Sequence, residues 1–543
     1  MRRSVALADP RKDIRLNLRI YPGRHSKSRA TPRGPALFAL AAVLGVAILS
    51  AGCRSTSHAS ESGTVNFLIE SMPTNLDPRI GTDAQSQHLD GLIFDGLVTL
   101  DPQMNIVPDL AERWETPDPR TYIFHLRHGV KFHDGRPFTS ADVKYTFDSL
   151  MSGEVTSLKR GTFPMLESVD TPDAYTVVFH LSEPYASFVW NLTAMALGIV
   201  PAGSGNTPTR DPIGTGPFRF VSMTQDQDIV LARNPDYFGV VPKIPVVRFR
   251  VVPDAITRAL ELRKGTADIG GITSLTPDMV VALEKEPGIV VDDQPGTQIA
   301  YVSFNFDDPI LVHRKVRQAL AYATDRATLI RYLLRGQARA ASSLLPPNHW
   351  AYEPNVRQYP YDPAQAERLL DAAGFPRGAD GVRFHLTMKT STEESTRVLS
   401  EALAGEWRRV GVVLDLRPLE NATFFSDIGR GSFQLYTYRW VGANNDPDIF
   451  DYVFNSKRMP PLGANRGHYR NPALDALIEQ EKVEMDREKR KAILSQIQKI
   501  VAEDQPYIDL WYVDNVCVHR TRITGITLAP TGEHDFLDTA SIR

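Results

Sequence analysis

Three histidines close together, His125, His128 and His133, are the first side chains whose types could do chemistry, because imidazole nitrogens bind transition metals. They lie in HLRHGVKFHDG, and 122–132 reads as strands around a glycine turn. In a regular strand His125 and His128 have opposite parity and point to opposite faces, so the trio reads as packing or surface residues and no metal site is expected. The only two cysteines, Cys53 and Cys517, give no ligand spacing. Cys517 lies in the apolar run WYVDNVCV and reads as buried packing. GTG at 214–216 is followed by Pro217, lacks the full nucleotide fingerprint and has no phosphate-loop lysine, so it reads as a tight crossing. PAGSGN at 201–206 does not space a serine as a nucleophile elbow does. Isolated carboxylate pairs are easy to find among 64 acids. No enzyme and no cofactor are expected; a secreted hydrolase with a two-lobed cleft is the remote alternative.

Charge narrows the partners. Of 61 basic and 64 acidic residues, ten and two fall in the first 52 positions, which leaves 51 and 62 beyond them, a net of −11. A basic leader thus precedes an acidic body. Such a body argues against nucleic acid, which needs clustered Lys and Arg to displace phosphate counterions. The length suggests at least two large packed units.

The leader has the parts of an export signal: a basic stretch, the apolar run ALFALAAVLGVAIL at 36–49, and small residues before Cys53. The run is shorter than the roughly 20 residues of a bilayer-spanning helix. SAGC at 50–53 resembles bacterial lipoprotein signals, in which the cysteine is lipidated and becomes the first mature residue; Leu49 stands four positions before Cys53, where that class usually has leucine three before. Ordinary secretion and a retained anchor are the other readings. The resemblance implies a signal peptide at 1–52, lipidation at Cys53 and a polar tether at 53–63. Arg54 directs the expectation to the periplasm, on the inner face of an outer membrane, or to the outer face of the cell membrane where there is no outer membrane.

Beyond the tether, short β-rich runs alternate with helical periodicity. VNFLI (65–69), YTVVFHL (175–181), VVRFRVV (246–252), IAYVSFNF (299–306), VVLDLRPL (412–419) and PYIDLWYV (506–513) read as strands. TSADVKYTFDSLM, capped by Thr139 or Ser140, reads as a helix, as does AITRALELRKG ending at Gly265. The order suits an α/β layer architecture with two lobes and more than one crossing between them.

Four blocks carry a family resemblance: LAERWETPDPRTYIFHLRHGVKFHDGRPFTSADVKYTFDSL (110–150), DPIGTGPFRF (211–220), SFNFDDPILVHRKVRQALAYATDR (303–326) and EKRKAILSQIQKIVAEDQPYIDLWY (488–512). Together they are similar to the peptide/nickel-type solute-binding proteins of ABC importers, extracellular solute-binding protein family 5, from about Val65 to the C-terminus. The resemblance implies an α/β, two-lobed periplasmic-binding-protein type II clamshell with an additional subdomain in the first lobe. Lobe I would use 64–305, with the subdomain at about 99–212, lobe II 306–504, and 505–543 would return to lobe I. It further implies a monomer that captures a short peptide or peptide-like solute and delivers it to permease and ATPase subunits. An opine, a sugar or a metal chelate is the alternative cargo; a ligand sensor uncoupled from transport is the alternative role.

RWVGANNDPDIF (439–450) resembles a dipeptide-binding segment of that family. The family's aspartate that pairs with a peptide's α-ammonium group falls on Ala443. Alanine offers no charge and no hydrogen bond, where a bond to a charged group contributes about 1.5–3 kcal/mol. A free dipeptide held in the usual way is therefore disfavoured. Asp446 and Asp448 either contact ligand or shape the turn around Pro447. Trp440 either covers an apolar ligand face or packs the strand–loop junction. Tyr438 and Asn305 are weaker ligand candidates that could instead complete buried hydrogen bonds.

Overall fold

A computed structural model describes residues 63–543 apart from 194–196 and 443–444. The signal segment, Cys53 and the tether before Gly63 lie outside the described residues. No described helix is long and apolar enough to cross a membrane.

Thr64–Ile69 is a central strand of a seven-stranded mixed sheet, parallel to Val246–Val251 with Phe67 opposite Phe249. Both faces of this strand are covered. Val65, Phe67 and Ile69 enter one core with Cys517 and Phe536, and Leu68 enters another with Leu262 and Val518. Burial on both faces explains why VNFLI is a nearly continuous apolar run and not an alternating one. The helix Ala255–Lys264 covers this sheet; Asp254 accepts from Thr257 N at its start, and Gly265 ends it in the left-handed region at φ 75°.

A four-stranded antiparallel sheet forms the subdomain, with Thr121–Leu126 and Thr176–Leu181 as its inner pair. Both strands alternate strictly, burying Tyr122, Phe124 and Leu126, and Val177, Phe179 and Leu181. The helix Ser140–Ser152 packs on that face through Phe147, edge-on to Phe179 at 4.9 Å. Its first turn is closed by the Asp142 carboxylate, which accepts from Thr139 N at 2.8 Å, so Thr139 is the cap. GTG is a close backbone approach: Gly216 N donates to Ile93 O, and a Cβ on Gly214 would stand 1.9 Å from that oxygen.

A six-stranded sheet organises lobe II, in the order Ala338–Ala340, Tyr507–Val513, Ile299–Phe304, Leu435–Trp440, Phe384–Ser391, Val412–Leu419. Its last two strands are parallel and joined by the helix Glu394–Arg409, a βαβ unit whose Trp407 is fully buried under the sheet. Ile299–Phe304 is buried along its whole length. Ala300, Val302 and Phe304 feed the core that holds Trp407, and Ile299 and Tyr301 feed the core on the opposite face.

Ile299–Phe304 and Tyr507–Val513, which lie at the expected lobe limits, pair with each other in this six-stranded sheet. Asn515–Arg520 then joins the first sheet, and Ile523, Leu528, Phe536 and Leu537 pack into its core. Apolar runs buried on both faces carry no period that says which sheet they join; hydrogen bonding decides it. The chain therefore crosses at 295–298 and at Asp514. These crossings lie side by side: Val513 N donates to Gln298 O at 2.8 Å. A Cβ on Gly296 would stand 2.2 Å from Val513 O.

Gly296→Ala therefore forces the two crossings apart and is expected to cost about 1–3 kcal/mol. Gly91 lies in a helix with nothing within 4 Å of a Cβ, so Gly91→Ala should gain up to about 1 kcal/mol. Denaturant midpoints read both; equal midpoints for the two variants would refute the steric account of the crossing.

Candidate ligand-binding site

Strand pairing builds an aromatic wall at the end of Leu435–Trp440. The register sets Trp440 opposite Ile299 and Tyr438 opposite Tyr301. Alternation then sends Tyr436, Tyr438 and Trp440 to one face. The Trp440 ring lies nearly parallel to Tyr301, with centroids 5.8 Å apart, and Tyr301 stacks in turn on Tyr507 at 4.3 Å. Tyr436 stands edge-on to Tyr301 at 6.0 Å. Arg466, from the loop that follows the helix Ile449–Phe454, places its guanidinium carbon 5.5 Å from the Trp440 ring centre. Tyr301 and Tyr436 are fully buried, whereas Trp440 and Arg466 are half-buried.

Among the described residues, Trp440 Nε1, Tyr301 Oη and Tyr436 Oη are buried and complete no well-aligned hydrogen bond, although the Tyr436 phenol lies within reach of both Arg466 and Tyr301. Burial opposes the Arg466 charge, but the neighbouring phenols of Tyr436, Tyr301 and Tyr507 outweigh it and raise the pKa, so the guanidinium stays charged. Burial, with Tyr436 and Tyr507 beside it, likewise drives the Tyr301 phenol well above its ordinary range and keeps it a neutral donor.

The segment after Trp440 is held by the subdomain of lobe I. Asp446 Oδ1 accepts from Ser187 Oγ at 2.6 Å and from Asp448 N at 2.8 Å. Asp448 Oδ2 accepts from Tyr185 Oη at 2.8 Å. Ser187 Oγ also accepts from Arg490, which is clamped by Glu481 with Nε–Oε1 at 2.8 Å. Nearby, Ala186 N donates to Lys482 O at 2.8 Å. Burial raises the pKa of Asp446 despite the Arg490 charge. It pushes Asp448 up to about 6, with the charges of Asp446 and Asp451 adding to it, and Glu481 up to about 7 even beside Arg490. Asn445, buried next to this knot, leaves both amide atoms without a hydrogen bond among the described residues.

The residues singled out from sequence fall in different surroundings. Trp440 is in the wall. Tyr438 is 39% exposed and packs edge-on against Phe425 at 5.2 Å. Asp446 and Asp448 are hydrogen-bonded to the other lobe. Asn305 is buried away from the wall, where Nδ2 donates to Phe433 O at 2.7 Å and Oδ1 accepts from Asp307 N. Ala443 lies outside the described residues. The structure adds Arg466, Tyr301, Tyr436 and Tyr507, whose separation in sequence gives no motif; the single clue was the aromatic content of IAYVSF and PYIDLWY.

The histidine trio is dispersed. His125 meets Glu115 at 3.0 Å on a strand surface, and His128 stacks on Tyr175 at 3.8 Å. His133 is bonded through both ring nitrogens to the Gly214 and Gly216 backbone, and burial pushes its pKa down to about 4. Among the described residues no three His, Cys, Asp or Glu side chains are grouped to hold a metal. Cys517 is buried, and burial raises its pKa, which keeps the thiol protonated.

Residues 105–459 match the family model of bacterial extracellular solute-binding proteins, family 5. The dipeptide-binding protein of Escherichia coli (strain K12) is 26% identical over 517 residues, covering 90% of this chain and 96% of that protein. Heme-binding protein A of Haemophilus influenzae is 27% identical over 520 residues, covering 89% and 93%. Among solved structures, the oligopeptide-binding protein AppA from Bacillus subtilis in complex with a nonapeptide superposes with a TM-score of 0.73 at 25% identity, over 89% of this chain and 99% of that one. NikZ from Campylobacter jejuni in complex with Ni(L-His) gives 0.75 at 26% identity, over 89% and 100%. With two lobes, an added subdomain and a family match over most of its length, the chain belongs to the bacterial extracellular solute-binding proteins of family 5.

Proposed function

We propose that the mature chain is the substrate-binding lipoprotein of an ABC importer, tethered through Cys53 outside the cytoplasmic membrane. It captures a short peptide or peptide-like solute between its lobes and, as a monomer, presents it to the permease; ATP hydrolysis belongs to the transporter and the chain itself catalyses nothing. The observation that carries this reading is the position of the segment after Trp440. It leaves the aromatic wall of lobe II and is gripped at Asp446 and Asp448 by hydroxyls of lobe I. A solute resting on the wall touches a surface continuous with the bonds that join the lobes. Such a solute shifts the population toward closure by as much as its affinity for the closed form exceeds that for the open one.

Peptide-like cargo is supported by the relatives named for dipeptides and oligopeptides. A non-peptide solute is the second reading, favoured by the heme-binding relative and the Ni(L-His) complex. Ala443, in place of an amine-pairing aspartate, supports either a peptide held without its α-ammonium group or a solute that lacks one. Calorimetry on the mature protein with tripeptides carrying free or acetylated amino termini tests this. The expected result is that acetylation changes affinity less than about threefold, because no charged hydrogen bond is lost. A loss of tenfold or more on acetylation would mean that another acid holds the amine. Trp440→Ala should weaken binding about tenfold or more with the fold intact by circular dichroism; unchanged affinity would remove Trp440 from the wall.

The acidic grip has a pH signature. The native pKa of Asp448 lies above its unfolded value, so the folded protein holds a proton that the unfolded chain releases. That contribution is fully present below about pH 4 and is lost as pH rises through about 6. In Asp448→Asn the contribution is absent. The melting temperature of the wild type, measured relative to the variant, should therefore fall between about pH 4.5 and 7.5 by the equivalent of about 1 kcal/mol. A constant difference across that range would show that Asp448 is not desolvated in the folded protein.

A further inference from the structure

Asparagines that this protein buries are hydrogen-bonded through their side chains. Asn234 Nδ2 donates to Gly216 O at 3.1 Å, and Asn515 Nδ2 to Pro530 O at 2.9 Å. Asn465 uses both ends of its amide on one residue: Nδ2 donates to Tyr469 O at 2.8 Å, and Oδ1 accepts from Tyr469 N at 3.0 Å. Asn445 differs. It is 1% exposed, and neither its Oδ1 nor its Nδ2 has a hydrogen bond among the described residues. The backbone holds the residue in place, because Asn445 N donates to Gly442 O at 3.0 Å and the next side chain, Asp446, accepts from Ser187. A carboxamide shut away from water with neither end paired is unfavourable. The partner that relieves it offers a donor and an acceptor side by side. In an extended chain the N–H and C=O of one residue point the same way and are met together by one partner. Asn465 makes the same two bonds with Tyr469.

We propose that the Asn445 carboxamide is a main-chain clamp for bound peptide, in which Oδ1 accepts the N–H and Nδ2 donates to the C=O of one residue of the solute. Asn445 stands between Trp440 and Asp446 in the chain, so the clamped residue lies between the aromatic wall and the bonds to the subdomain. The amide is enclosed while Asp446 is bonded to Ser187, so the solute enters before that bond forms and is shut in by it. The inference rests on the peptide reading of the cargo and deepens it: the clamp recognises main chain and leaves the side chain of the clamped residue unspecified.

The test uses mature full-length protein stripped of co-purified solute, with alanine peptides of two to six residues as probes. The tightest binder is then compared by calorimetry with its ester-linked analogues, each with one backbone N–H replaced by oxygen. Asn445→Ala should weaken the parent peptide about 10- to 100-fold, the factor set by two hydrogen bonds. One analogue should bind wild type about tenfold more weakly than the parent and bind Asn445→Ala no more weakly than the parent does. Stripped Asn445→Leu should melt no lower than wild type, because an apolar side chain of similar shape replaces an amide that has no bond to lose. If one variant fails to fold, the other carries both readings; failure of both overturns the clamp. Unchanged peptide affinity in Asn445→Ala, ester penalties identical in wild type and variant, or a melting temperature of Asn445→Leu well below wild type also overturns it, the last marking an amide bonded to buried water. If peptides bind and Asn445 changes nothing, only the clamp falls; if no alanine peptide binds wild type, the peptide reading falls and the clamp with it.

Discussion

Lobe II is organised around one strand that meets water on neither face. Ile299–Phe304 is covered by one core through Ala300, Val302 and Phe304, and by another through Ile299 and Tyr301. A one-residue slip would exchange every side chain between these cores, so its register against Leu435–Trp440 and Tyr507–Val513 is strongly fixed. That register stacks Trp440, Tyr301 and Tyr507 and sets Tyr436 edge-on to Tyr301, although the four come from three separate stretches of chain. The candidate wall is thus a product of strand pairing and owes little to the loop that follows it.

Electrostatics supports the same arrangement from the other side. Asp446, Asp448 and Glu481 are desolvated acids, and a cluster of three would repel itself if Arg490 and Lys482 were absent. Arg490 joins Glu481 on the neighbouring helix to Ser187 in the other lobe, while Ser187 and Tyr185 supply neutral donors to the aspartates. Hydroxyl donors suit a contact that has to form and open, because separating them from a carboxylate in water leaves no ion stranded without hydration. The acids that sequence similarity drew toward the ligand are hydrogen-bonded to Ser187 and Tyr185 of the subdomain.

Much of the fold was legible where burial is one-sided. The alternation of YIFHL and TVVFHL, the Thr139 cap and the Gly265 stop each correspond to an observed element. Strands buried on both faces were legible as strands, but the sheet that each joins was not, because a run without alternation carries no sign of its partner. In the site, Trp440 stood out through the segment in which it lies. Arg466 did not: it follows Asn465 in a loop, is one of many arginines, and meets the Trp440 ring and the phenols only through the fold. Such proximity is a property of three-dimensional surroundings and leaves no trace in composition, period or spacing.

Under the proposed function, a solute holds the two halves together by occupying the space beside Trp440. Small-angle X-ray scattering on stripped mature protein, before and after adding back the solute that co-purifies with it, tests this most directly. The radius of gyration should fall on addition as the bound form is favoured. Identical profiles with and without a solute shown to be bound would contradict it.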